Sequence, residues 1–382
     1  MLFLGLAIGA YGFAMTLQIG LNENFLVEDM GVSPFQKGLL EAARESCGIF
    51  ALGILALLAG LAEPIIAAMM LAVFGMALAA YYGVHSFGML VAMSVLWSQG
   101  LHVFMPLPSS MMLSLAEPGK TGLRLGQLQK AGAVGSAAGL LGALGLTLYS
   151  RHAGLAIPMR PLYLVAGTMA VLAGLACLGI PRDIKAPSTR LVFRRKYGLY
   201  YLLCFLEGWR KQIFLAFAGF LLVKRYGVPL EHILFMWLIV QAVGWTASPL
   251  VGRLIDRVGE RRILIFYFSS LTLFFTGYAF IDNVYVLYAL FTLDNSFFIF
   301  AMAMTTYVRK IAPPAEHTAT LSAGVAANHV ASVTMPLVGG YLWYKLGYQW
   351  PFFVGAAAAA ASVLAAMRVG HHDPAEARSG NP

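Results

Sequence analysis

Gly252-Arg253-Leu254-Ile255-Asp256-Arg257-Val258-Gly259-Glu260-Arg261-Arg262 is the stretch whose reading decides the fold. It is a short charged segment, bracketed by glycines, between two long apolar runs. Charge this dense cannot lie in hydrocarbon, so the stretch has to be a loop outside a bilayer. The rest of the chain agrees. Of its 382 residues 59% are hydrophobic and only 11% charged, and the mean hydropathy is +0.75, more apolar surface than a soluble core hides. In a bilayer only helices and closed barrels satisfy their own backbone. The apolar runs are about 20 residues long without period-two alternation, which selects helices. Cys47, Cys177 and Cys204 sit singly in apolar runs, so neither a disulfide framework nor a metal pair is implied.

The spacing predicts twelve spans, near 2–18, 36–60, 64–82, 87–115, 125–149, 161–181, 198–223, 231–251, 263–281, 284–307, 319–344 and 349–368. The first run has no basic residues before it, which predicts a retained span rather than a cleaved signal peptide. The net charge of +9 does not imply nucleic acid, because its location is topogenic. With a cytoplasmic N-terminus, sixteen Lys and Arg residues fall in inner loops and tail, six fall in outer loops, and only Arg44, Lys130, Arg210 and Lys211 lie inside spans. That asymmetry predicts both termini in the cytoplasm, and a bacterial inner membrane is the expected location.

Two stretches recur at half the chain length. Phe25–Val32 aligns with Leu221–Val228 at an offset of 196, and Ser110–Tyr149 with Thr305–Tyr344 at an offset of 195. Near-equal offsets predict two parallel six-span halves, 1–181 and 198–368, joined by a basic linker at 182–197 and followed by a cytoplasmic tail at 369–382.

The hinge pattern G-x-L-x-D-R-x-G-x-R resembles the cytoplasmic-loop signature of the major facilitator superfamily (MFS) of secondary transporters. The twelve-span, two-half plan extends that resemblance over the whole chain. The resemblance implies an all-α membrane protein with two pseudo-symmetric six-helix halves, and a hinge acting as a latch. Asp256 would then face a helix N-terminus or an arginine, Arg257 and Arg261 (with Arg262 beside them) would hold carboxylates or helix carbonyls, and Gly252 and Gly259 would turn the chain. The matching loop of the first half, Ala56–Pro64, lacks the pattern and keeps only Glu63. Span 5, with Gly126, Gly132, Gly135, Gly139, Gly142 and Gly145, partly resembles the family's antiporter signature, but Leu140 stands where proline is expected. Pro336 with Gly339 and Gly340 in span 11 comes closer to that ending. Close helix packing explains such small residues more simply.

Ionisable residues inside spans need a reason, since each costs at least ~2.5–3.5 kcal/mol on insertion scales. Glu41, Arg44 and Glu45 share one face of span 2, where Arg44 can pair with either carboxylate, and Lys37 and Glu41 are expected near the wet outer interface. Glu207, Arg210 and Lys211 share a face of span 7, two cations to one anion, with Asp294 available to neutralise the surplus across the bundle. By resemblance spans 1, 4, 7 and 10 line a central cavity, so His102, Arg210 and Asp294 would face it. These residues are read as a site where Arg210 and Lys211, with His102, Gln212 and Trp209, bind substrate. Glu207, Asp294, His329, Glu41 and Glu45 would exchange protons, carboxylates and histidine being the groups that burial brings toward neutral titration. Gln241 and Trp245 are further polar and aromatic candidates.

No metal-ligand, phosphate-loop or nucleophile motif is present, which predicts neither an enzyme nor a cofactor. The reading is a proton-coupled secondary transporter of a small polar or anionic solute, monomeric in the bilayer, with the solute and protons as partners and no nucleic acid. A drug-efflux antiporter is the nearest alternative; a membrane-embedded enzyme or non-transporting sensor would come from another class.

Overall fold

The computed structural model describes residues 1–58, 60–117, 120–184, 193–313 and 316–370, and their regular elements are helices. The centre of the basic linker and nearly all of the tail lie outside the described residues. Helix α1 (Leu2–Asn24) continues as a π-helical turn to Asp29, followed by α2 (Pro34–Leu57) and α3 (Glu63–Ala79). Span 4 is two pieces, α4 (Phe87–Phe104) and α5 (Leu107–Leu115), and α6 (Thr121–His152) and α7 (Met159–Cys177) follow. Next come α8 (Gly198–Tyr226), α9 (Leu230–Val258) and α10 (Glu260–Phe280). Span 10 is again two pieces, α11 (Val284–Phe297) and α12 (Met302–Ile311), before α13 (His317–Leu346) and α14 (Gln349–Ala366).

Ten segments among the described residues are long and apolar enough to cross a membrane. The two remaining long helices, α2 with 24 residues and α8 with 29, are the ones that carry the clusters Lys37, Glu41, Arg44, Glu45 and Glu207, Arg210, Lys211. At 1.5 Å per residue both exceed the ~30 Å hydrocarbon thickness. Together these make twelve spans. The breaks in spans 4 and 10 also obey the repeat. The first falls at Met105-Pro106, where proline removes a backbone donor, and the second at a 3-10 turn, Phe298–Ala301.

The chain forms two compact units. The first comprises Met1–Val32, Ala43–Ser188 and Val228–Leu238; the second comprises Ser33–Ala42, Thr189–Gly227 and Ile239–Pro382. The basic linker thus straddles the passage from one unit to the other. In the first unit α1 packs on α6 and α7, and α3 on α4 and α7; in the second α8 packs on α13 and α14, and α10 on α14.

Glycine sets how closely these helices approach. A Cβ at Gly135 would strike the carbonyl of Gly9, and one at Gly12 the carbonyl of Gly132. At Gly139 it would lie 2.8 Å from the Phe13 carbonyl. Thr16 seals this seam, donating to the carbonyls of Gly12 at 2.8 Å and Ser136 at 3.1 Å. Gly132, Gly135 and Gly139 of span 5 are therefore packing residues, whereas Gly126, Gly142 and Gly145 meet nothing within 4 Å. In the second unit Gly339 meets Phe217, while Gly340 meets Pro34 and Gly38.

Three expectations need correction. Span 1 does not stop near residue 18, because its later polar residues satisfy one another: Gln18 donates to Asn22 at 3.3 Å and Asn24 to Glu28 at 2.6 Å. Gly252 makes no turn, since α9 runs through it to Val258; Gly259 alone turns the chain, with φ +86°. Lys37 and Glu41 are not wet but buried, paired at 2.9 Å.

Candidate functional site

The charges of α8 separate onto two faces. Arg210 and Glu207, three residues apart, point together toward α10 and α11. The guanidinium grips Glu207 with both edges, Nε to Oε2 at 3.1 Å and Nη2 to Oε1 at 2.6 Å, the two-pronged geometry that arginine favours with carboxylates. Its third nitrogen, Nη1, donates to Asp294 Oδ1 of α11 at 3.2 Å. From α10 the Tyr267 hydroxyl donates to Glu207 Oε1 at 3.0 Å and accepts from Arg210 Nη2 at 3.2 Å. The Phe298 ring, first residue of the 3-10 turn in span 10, lies 4.8 Å from the guanidinium carbon, within cation–π range. Arg210 and Asp294 are 0% exposed and Glu207 5%.

One positive and two negative groups are thus held inside a membrane-spanning unit. The expected surplus of positive charge in span 7 is reversed here, because Lys211 turns away. One residue further on is a rotation of about 100°, which aims Lys211 at α13. There it is half-buried and donates to Asn328 Oδ1 at 2.8 Å; the Asn328 amide in turn donates to the Cys204 carbonyl at 3.2 Å. Gly208 permits this approach, since a Cβ there would strike the Asn328 backbone. His329 is half-buried beside Asn328 on α13. Trp209 is half-buried and meets Phe205 edge-on at 6.0 Å. Gln212 is fully buried, and among the described residues its amide has no hydrogen-bond partner. Gln241 is half-buried and Trp245 is exposed.

The remaining candidates lie elsewhere. In the first unit Arg44 pairs with Glu45 at 3.5 Å and lies 5.3 Å from the Trp97 ring centre. His102 Nδ1 is 2.8 Å from the Ser98 carbonyl, and the Ser98 hydroxyl donates to the Arg44 carbonyl at 2.8 Å. Glu41 groups with the second unit through the start of α2. In the hinge Asp256, Arg257 and Arg262 are exposed and Arg261 is half-buried. The anchoring pair is one that the sequence reading passed over: Glu260, first residue of α10, accepts from Lys310 of α12 at 2.7 Å. Its counterpart Glu63 opens α3 and accepts from Ser110 of α5 at 2.6 Å, so each unit places an acid at the positive end of a helix.

Tyr267 and Glu316 were missed as well. Glu316 accepts from the Tyr197 hydroxyl at 2.6 Å and pairs with Lys196 at 2.9 Å; the hydroxyl, then the lysine, hold its carboxyl below the usual range. The signal for Tyr267 was present as its spacing of eleven from Tyr278, three helical turns along one face of α10.

The sequence pattern of the Major Facilitator Superfamily matches residues 2–302 and 200–382, the whole chain between them. The chain belongs to that superfamily. It is a multi-pass membrane protein and a secondary transporter, not an enzyme. No curated protein matches the sequence. Among solved structures it resembles the nucleoside transporter NupG, with 14% identity, 97% of this chain and 99% of that one covered, and a TM-score of 0.77. It also resembles a bacterial homologue of the human lysosomal transporter Spinster (14%, 97% and 96%, TM-score 0.73) and a D-xylose-proton symporter (13%, 97% and 97%, TM-score 0.68). At such identities the likeness is one of fold.

Proposed function

We propose that this transporter couples a proton to the movement of a small polar or anionic solute by alternating access. The observation that carries the reading is the enclosed Glu207–Arg210–Asp294 cluster. With both carboxylates ionised it holds one negative charge too many for a low-dielectric site, and binding one proton makes it neutral. Such a group is stable when sealed only if protonated, and stable when ionised only if wetted; that is the property a coupling site needs. Lys211, half-buried on a different face of α8 and donating to Asn328 Oδ1, is the cation assigned to the solute. Arg210 is withdrawn from the substrate role and assigned to holding the carboxylates. His102, His329, Trp209 and Gln212 stand as further contacts for solute or proton.

The nucleoside transporter and the D-xylose-proton symporter among the structural neighbours support a small polar solute. The drug-efflux alternative, which calls for unpaired carboxylates, is disfavoured by the pairing of Glu207 and Asp294 with Arg210. The excess of basic residues in alternate loops supports cytoplasmic termini, and Asp256, an acid with no topogenic purpose in a basic loop, supports the hinge latch. A monomer, with each chain carrying its own site, is the simplest working form.

The test is uptake of labelled nucleosides, pentoses and small carboxylates into proteoliposomes with and without an imposed pH gradient. Gradient-driven accumulation in wild type, lost in Asp294→Asn and weakened through KM in Lys211→Ala, is the expected outcome. Wild-type coupling in Asp294→Asn would reject the coupling site; an unchanged KM in Lys211→Ala for every transported solute would reject the substrate contact.

A further inference from the structure

The seam between α8 and α13 lies wholly within the second unit. Cys204, Gly208 and Lys211 stand at i, i+4 and i+7, one stripe along α8. Gly324 and Asn328, one turn apart on α13, meet that side of α8. A Cβ at Gly324 would strike the Tyr200 ring, and one at Gly208 would strike the backbone of Asn328. Two glycines, one on each helix, thus let the backbones come close enough for a short side chain to cross the seam.

Asn328 uses that approach in two directions. Its Nδ2 donates to the Cys204 carbonyl at 3.2 Å, and its Oδ1 accepts from Lys211 Nζ at 2.8 Å. A carbonyl only accepts, so the nitrogen of the amide is the end that must face Cys204, and the oxygen is fixed on the side of Lys211. The Ser332 hydroxyl, one turn further along α13 and 0% exposed, adds a longer bond of 3.4 Å to the same oxygen. The backbone of α8 therefore sets the plane of the amide, and that plane sets where the ammonium is held. A lysine ammonium is a compact charge on a flexible four-carbon stem, so a fixed acceptor is what presents it in one direction. Asn328 supplies the acceptor without bringing an opposite charge of its own.

We propose that Asn328 is a positioning residue of the solute site, holding the Lys211 ammonium in the direction from which it meets solute. The proposal rests on the assignment of Lys211 to the solute above and is independent of proton coupling at Asp294. Asn328 acts through Lys211 and does not itself touch solute. The amide is specific to this place. Asn328→Asp would set an oxygen against the Cys204 carbonyl, and Asn328→Leu would fill the space while bonding neither partner.

The test is a double-mutant cycle on the full-length protein in proteoliposomes, with the labelled nucleoside, pentose or small carboxylate that wild type takes up. Losing a hydrogen bond to a charged group should raise KM by ~10–100-fold in Asn328→Ala, with turnover near the wild-type value. When Asn328→Ala is combined with Lys211→Ala, KM should rise no further than in Lys211→Ala alone, since a residue that acts through another adds nothing once that other is gone. Asn328→Leu, which keeps a branched side chain against Gly208, should raise KM as Asn328→Ala does, and it stands in should Asn328→Ala fail to fold. An unchanged KM in Asn328→Ala, KM increases that multiply in the double variant, or a wild-type KM in Asn328→Leu each overturn the proposal. Thermal midpoints of wild type, the two single alanine variants and their double need no solute, and losses that simply add would overturn the contact itself. Failure of the earlier reading looks different: Lys211→Ala would then keep a wild-type KM, and the positioning role falls with it.

Discussion

Replacing Arg210 with methionine tests the physics of the cluster most directly. The side chain is fully enclosed and makes four hydrogen bonds, two to Glu207, one to Asp294 and one with Tyr267. Methionine fills much the same volume without charge, so the cost is electrostatic rather than a cavity. Removing one member of a buried ion pair costs about 3–5 kcal/mol, because the charge left behind stays desolvated. Here two carboxylates remain, and they escape by binding protons, which holds the loss toward the low end at acidic pH. At 2–4 °C per kcal/mol the fall in thermal midpoint is on the order of 10 °C at neutral pH. The triple variant Arg210→Met, Glu207→Gln, Asp294→Asn removes every charge and should recover most of that loss, since neutral replacements of buried ion networks are often no less stable. The assay is thermal unfolding of the purified protein in detergent at neutral and mildly acidic pH. An Arg210→Met variant as stable as wild type, or a triple variant no better than Arg210→Met, would refute the reasoning.

Gly135→Val should prevent accumulation of folded protein, because its Cβ overlaps the Gly9 backbone, whereas Gly142→Ala, with open space around it, should be neutral or slightly stabilising; membrane-fraction yield and monodispersity measure both. Exchanging the charges of the Glu260–Lys310 pair should restore the thermal midpoint that Glu260→Gln alone lowers, and failure of the swap would place the value of Glu260 in its helix-end position instead. Glu316 titrates below its ordinary value of 4.5 in the folded protein, so its contribution is present above that value and fades as the pH falls through the lowered one. Glu316→Gln should therefore be less stable than wild type at neutral pH and converge with it in strong acid, as thermal midpoints across pH will show.

The spans are legible in the sequence because hydrocarbon leaves the backbone no choice but helix, and an apolar run of sufficient length announces that outcome. The parallel repeat is legible for a related reason, since equal spacing of weak matches survives where identity does not. What sequence order does not carry is rotation. Arg210 and Lys211 are adjacent in the chain, yet a helical step sends one into a sealed cluster and the other to Asn328, so treating them as one site assigns both the same role. Gly252 was expected to turn because glycine is permissive, but permission does not force a bend while the flanking residues remain good helix formers. Lys37 was expected to be wet because lysine at a span end usually is; pairing with Glu41 one turn on lets it be buried instead. Tyr267 and Tyr278 were hidden among the phenylalanines of an apolar run, where only their three-turn register separates them from packing.

Phe298 occupies two positions in mechanics at once. It caps the guanidinium of Arg210, and it is the first residue of the joint at which span 10 changes helical form. Beyond that joint runs α12, whose Lys310 is clasped to Glu260. The buried charge cluster and the joint of span 10 thus meet at one aromatic side chain.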